Sequence, residues 1–133
     1  MVSRSPRRLV FVCVENSNRS QMAEAFARLY GAGSVEAFSA GSRPSGQISP
    51  RAIEAMREIG YDPATHHSKS IDSLPDIPFD YVITMGCGDE CPLVPAVRRE
   101  DWDIPDPKLM SDQEFRQVRD LIGQKVKKLI DTP

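Results

Sequence analysis

The sequence predicts an α/β fold, a three-layer sandwich with a central four-stranded parallel sheet and helices on both faces. Two apolar runs, Leu9 to Val14 and Tyr81 to Met85, the second within a strand read from Phe79 to Met85, suit strands buried on both sides. Between and after them, apolar residues recur at helical spacing. Such alternation of strand and helix calls for parallel strands joined by crossovers.

Taken in order, Leu9 to Val14 is the first strand, and Gln21 to Tyr30 is a helix with Met22, Ala25, Phe26 and Leu29 on its core face. Val35 to Ser39 is a second strand closed by Ala40 and Gly41, followed by a Pro- and Gly-containing loop from Ser42 to Ser49. A second helix opens with Ser49 as N-cap and Pro50 at its first position, carries Ile53, Met56 and Ile59, and stops at Gly60. After the third strand comes a long stretch, Gly86 to Lys108, with a short fourth strand around Trp102, which reads as a packing residue. Ser111 and Glu114 have capping-box spacing and open a last helix with Phe115, Val118, Leu121, Ile122, Val126 and Leu129 inward. No repeat or linker interrupts the pattern, so residues 1–133 read as a single domain.

Composition narrows the function. A formal net charge of −2 offers no general attraction to nucleic acid or an anionic membrane, so any anion must be captured locally. The longest apolar runs fall far short of the roughly 20 residues that span a bilayer. Met1 to Arg8 leads into too short an apolar run for a signal peptide and reads as a solvated lead-in, which implies a cytoplasmic protein. Three cysteines, an odd number, suggest reduced, reactive thiols rather than a disulfide framework.

The first strand ends in Cys13-Val14-Glu15-Asn16-Ser17-Asn18-Arg19-Ser20. Cys-x5-Arg is common by chance; the buried strand before it and the helix after it give it meaning. Ligands of parallel α/β sheets collect at this junction, where the first amides of a helix lack internal partners. Backbone amides from Val14 to Arg19 can converge on one oxyanion, reinforced by the helix dipole. The dipole and Arg19 favour the Cys13 thiolate. Arg19 offers two oxygens a bidentate fork that lysine cannot copy. Ser20 can donate to the thiolate, and Asn16 can hold the loop through its backbone. Cys13 is therefore read as a nucleophile facing a tetrahedral oxyanion in an anion-binding loop.

With Ser39-Ala40-Gly41, the block Tyr81 to Pro92 (YVITMGCGDECP), Asp106-Pro107 and the Val118-Arg119-Asp120 helix, the segment Cys13 to Ala25 (CVENSNRSQMAEA) resembles a known family. This is the thioredoxin-coupled arsenate reductases of the low-molecular-weight protein tyrosine phosphatase fold, and the likeness runs from Val10 to about Leu129. It implies that the Cys13 thiolate attacks arsenate, with phosphate or sulfate as competing anions. Cys87 and Cys91 are the extra thiols that a reductase needs and a phosphatase does not. Cys87 would attack the Cys13 adduct and Cys91 would then attack Cys87, leaving a disulfide for thioredoxin. Four residues of helical turn separate two side chains by about 6 Å, which a disulfide tolerates. Gly86 and Gly88 would let that loop rearrange. The family also places its general acid directly before the proline, hence Asp106, with Asp103 as the alternative. Gln21, where the phosphatases carry proline, and Lys108, Leu109 and Met110, where they carry tyrosines, favour the reductase.

The match has departures. Gly86 stands where the middle cysteine of familiar relatives lies, and a small thiol such as mycothiol or glutathione could replace part of the relay. Some relatives bind potassium through residues matching Asn16, Glu24 and Ser39; Lys69 takes the place of their acidic ligand, so an ammonium would stand for the ion and no potassium requirement is expected. Zinc held by Cys87, Cys91, His66 and His67 does not fit the spacing of zinc modules, and the histidines read as loop or surface residues. Arg43, in the Pro- and Gly-containing loop, could reach an anion but reads first as a solvated surface charge. The alternatives are a low-molecular-weight protein tyrosine phosphatase and a nonenzymatic thiol redox sensor. No bound cofactor or metal, no nucleic acid and no membrane partner are expected, and the chain is expected to be a monomer.

Overall fold

The computed structural model describes residues 6–86 and 94–131. In chain order it has β1 (Arg7–Cys13), α1 (Arg19–Tyr30), β2 (Val35–Gly41), α2 (Pro50–Arg57), β3 (Phe79–Thr84), β4 (Ala96–Asp101) and α3 (Asp112–Asp131), with single 3-10 turns at Pro63–Thr65 and Ile71–Ser73. Among the described residues the strands form one sheet in the order β2-β1-β3-β4, each neighbouring pair parallel. From β1 the chain steps outward to β2 and then returns across β1 to β3. The reversal makes the C-terminal end of β1, at Cys13, the switch point at which sheets of this kind bind ligands.

The pleat divides β1 between two apolar clusters. Leu9, Phe11 and Cys13 pack with Ile83 and with buried residues of α1, α2 and α3. Val10 and Val12 pack with Phe79, Val82 and Val94, flanked by Ile71, Leu74 and Ile77. Both faces are covered, one by the three α-helices and the other by the segment carrying the Ile71–Ser73 turn.

Several boundaries differ from the sequence reading. β1 starts earlier, because Arg7 and Arg8 pair in register with Val35 and Glu36. Arg7 also donates to the carbonyls of Leu129 and Ile130 at the end of α3, where a cation suits the helix terminus. The fourth strand precedes Trp102 rather than surrounding it. Its residues Arg98 to Asp101 are exposed and charged, as suits a sheet edge, and they carry no apolar signal. Leu29, expected in the core, is 39% exposed, since the last turn of α1 runs past the core. In α2 the buried face is Ala52, Ala55 and Met56, with Ile53 and Ile59 only partly covered. Ser49 precedes Pro50 but makes no side-chain cap. The capping box of α3 is present: Ser111 Oγ accepts from the Glu114 amide at 3.2 Å, and Glu114 Oε1 accepts from the Ser111 amide at 3.3 Å.

Gly41, at the end of β2, governs how closely the loop after β1 can pass. A Cβ built there would lie 2.5 Å from the Val14 carbonyl oxygen and 3.0 Å from the Asn16 nitrogen. Both obstacles are backbone, so neither can step aside cheaply. Gly41→Ala is expected to lower the unfolding free energy by about 1–3 kcal/mol, measurable by urea denaturation; an unchanged midpoint and slope would mean that the loop yields freely.

Candidate active site

The loop between Cys13 and Arg19 is shaped from outside. The amides of Ser42, Arg43, Ser45 and Ser49 donate to the carbonyls of Cys13, Val14, Glu15 and Ser17 at 3.3, 2.8, 3.0 and 3.1 Å. In a trans peptide the N–H points opposite to the C=O. With those carbonyls held against the 42–49 segment, the amides of Val14, Glu15, Asn16 and Asn18 turn the other way. The Asn16 amide reaches Cys13 Sγ at 3.3 Å.

Asn16 makes the bend. Its φ of 52° is the one positive value for a non-glycine among the described residues, a conformation that asparagine tolerates better than most. The side chain is fully buried and held from three sides. Its Oδ1 accepts from the Lys69 amide and from Gln21 Nε2, both at 2.9 Å, while its Nδ2 donates to Ser20 Oγ at 2.8 Å. Because Ser20 accepts that bond, its own proton is available to Cys13 Sγ, 2.8 Å away. Two donors thus aim at the sulfur.

Arg19 begins α1, and its Nη1 donates to the carbonyls of Met85, at 2.7 Å, and Ile104, at 3.1 Å. These bonds bring the exits of β3 and β4 to the guanidinium. Gly86 makes the approach possible: its φ is +79°, and a Cβ there would lie 3.0 Å from Arg19 Nη1 and from the Ile104 oxygen. This close packing is a definite role for Gly86, distinct from the loop mobility expected of it.

A pocket opens in front of the thiol, lined by Cys13, Val14, Glu15, Ser17, Asn18, Arg19, Arg43 and Asp106. Asn16 and Ser20 sit behind it as buried support. Of the two acid candidates, Asp106 lines the pocket and Asp103 does not. Arg43 is exposed but borders the pocket, so it is not merely a surface charge. Cys87 and Cys91 lie outside the described residues.

The turn bearing Asp106 is held by a residue that nothing in the sequence singled out. Arg51, in the first turn of α2, donates to the carbonyls of Pro107, Lys108 and Met110 and to Asp112 Oδ1. Its guanidinium lies 4.7 Å from the Phe115 ring centroid.

Gln21 also gains a physical job. Its Nε2 donates to the Asn16 and His67 carbonyls as well as to Asn16 Oδ1, which leaves Oε1 to accept from His66 Nδ1 at 3.1 Å. The other His66 nitrogen meets Tyr61 OH at 2.8 Å. His66 is therefore no surface histidine; its side chain is 5% exposed, and burial pushes its pKa down against the opposing pull of Glu24. Buried Glu24 accepts from Ser39 Oγ at 2.6 Å and from Arg28 Nε at 2.8 Å. Lys69 Nζ donates to Ser39 Oγ and the His67 carbonyl and lies 3.7 Å from Glu24 Oε1. An ammonium thus stands among Glu24 and Ser39, two of the groups read as potassium ligands.

Comparison with known proteins agrees with this geometry. A family model described as low molecular weight phosphotyrosine protein phosphatase matches residues 8–132. Arsenate reductase 2 of Staphylococcus saprophyticus is 41% identical over 127 residues, covering 92% of this chain and 95% of that protein. A solved arsenate reductase in a phosphate-binding state is 38% identical with a TM-score of 0.84, covering 93% of this chain and 96% of that one. The thioredoxin-dependent arsenate reductase Cg_ArsC1' of Corynebacterium glutamicum is 34% identical with a TM-score of 0.75, covering 96% of this chain and 62% of that one. A family match that spans nearly every residue, on a sheet whose switch point carries the Cys13 loop, establishes that the chain belongs to the low molecular weight phosphotyrosine protein phosphatase family.

Proposed function

We propose that this chain is an arsenate reductase that converts arsenate to arsenite through Cys13 and a thiol relay. The observation that carries the reading is the Cys13 sulfur, buried at the end of β1 with two donors directed at it and opening onto a pocket lined by Arg19 and Asp106. The names of the relatives support arsenate as the substrate.

In the first step the Cys13 thiolate attacks arsenic, an S–As bond forms, and an arsenate oxygen leaves as water after taking a proton from Asp106. Loop amides and Arg19 hold the remaining oxygens. Cys87 then attacks Cys13 Sγ; the electron pair of the S–As bond passes to arsenic, which leaves as arsenite, and a Cys13–Cys87 disulfide forms. Cys91 attacks Cys87 and frees Cys13. A dithiol donor reduces the Cys87–Cys91 disulfide by exchange, and the name of the Corynebacterium relative favours thioredoxin over a low-molecular-weight thiol. The relay requires reduced cysteines, in keeping with a cytoplasmic enzyme. Among the described residues no helix is long and apolar enough to cross a membrane. We take residues 1–133 as one domain acting as a monomer.

The decisive assay supplies arsenate with thioredoxin, thioredoxin reductase and NADPH. Cys13→Ser, Cys87→Ser and Cys91→Ser are each expected to abolish arsenate-dependent NADPH oxidation. Unchanged turnover in both Cys87→Ser and Cys91→Ser would remove the relay. Hydrolysis of an aryl phosphate without arsenate-dependent NADPH use would select a phosphatase, and a single stoichiometric oxidation without arsenite release would select a sensor.

The acid is tested separately. Asp106→Asn is expected to lower kcat by about 10²–10⁴-fold, with Asp103→Asn near the parent rate. The reverse ranking would transfer the role to Asp103.

A further inference from the structure

The pocket lining carries two basic side chains, Arg19 and Arg43, and two acidic ones, Glu15 and Asp106, beside the Cys13 sulfur. A carboxylate within an anion-binding loop works against its own ligand, and Glu15 is such a group. Its partner comes from the turn that bears Asp106. Lys108 Nζ lies 3.4 and 3.5 Å from the two Glu15 carboxylate oxygens, across a separation of 93 residues. The Lys108 amide also donates to Asp106 Oδ1 at 3.0 Å, so one residue touches both the Cys13 loop and Asp106. Arg51 fixes the Lys108 carbonyl from behind, which keeps the side chain within reach of the mouth.

The pair adds little to folding. Side-chain exposures of 59% for Lys108 and 40% for Glu15 put it among surface ion pairs, which contribute little stability. Its location gives it a different use. Lys108 sets a third basic side chain beside the Glu15 carboxylate that lines the pocket.

We propose that Lys108 is an affinity-determining residue of this pocket, whose ammonium offsets the Glu15 carboxylate and supplies the positive charge an inorganic oxyanion requires. The inference rests on the pocket's being an oxyanion site, and does not depend on arsenate being the substrate.

The test is calorimetric titration of the full chain with inorganic phosphate at low salt, each variant first checked by thermal melting. Lys108→Gln is expected to weaken binding about two- to five-fold, the range open to an exposed charge. Glu15→Gln is expected to tighten it by a similar factor, the double variant to return close to the parent, and Lys108→Arg to bind like the parent. Added salt should shrink the differences. A role confined to holding the turn would make Glu15→Gln and Lys108→Gln weaken binding alike, and that result would overturn the proposal, as would parental affinity in Lys108→Gln. No phosphate binding by the parent would remove the oxyanion reading together with this inference. Normal phosphate behaviour without arsenate reduction would remove only the reductase.

Discussion

The site depends on a peptide-plane constraint. A loop can offer its amides to an anion only if its carbonyls are satisfied elsewhere, because each trans peptide carries the two groups in opposite directions. Here the carbonyls of Cys13, Val14, Glu15 and Ser17 are taken by amides from Ser42 to Ser49. That segment joins β2 to α2 and can lie alongside the loop because β2 pairs with β1 in register down to Cys13 and Gly41. The Ser39-Ala40-Gly41 block thereby acquires reasons: Ser39 bonds Glu24, Ala40 is buried, and Gly41 clears the backbone.

Behind the loop lies a buried polar layer that fixes its one left-handed residue. Asn16, Ser20, Gln21, His66 and Tyr61 form a continuous hydrogen-bonded chain that starts at the Cys13 sulfur. Beside it, Glu24 is bonded by Ser39 and Arg28 with Lys69 close by. Buried networks are tolerable when their members find partners, and here the bonds also hold the Ser20 hydroxyl that faces Cys13 Sγ. A residue such as Gln21, whose identity separates reductase from phosphatase by resemblance, is seen physically as the brace that ties Asn16 to the 66–69 segment.

The acid side of the pocket follows a different logic. Asp106 lies on an exposed turn, and its position depends on Arg51 from α2 and on the Lys108 contacts. Long-range side-chain bonds of this kind place the Asp106 turn beside the Cys13 loop.

By itself the sequence determined the βαβ order, the buried first strand, the Cys13–Arg19 junction and the capped last helix, because each is written in local periodicity or in a short motif. The charged edge strand lies before Trp102, where the sequence carries no sign of it, since an exposed strand has no apolar period to read. The resemblance put Asp106 ahead of Asp103 and the loop put Arg43 within reach of an anion, and both line the pocket; tertiary structure alone decided that the His66 side chain is buried against Gln21. It also decided the roles of Arg51 and of the Glu15–Lys108 pair. Those depend on contacts between residues distant in sequence, from 45 positions for His66 and Gln21 to 93 for Lys108 and Glu15, and spacing along the chain carries no record of such distances.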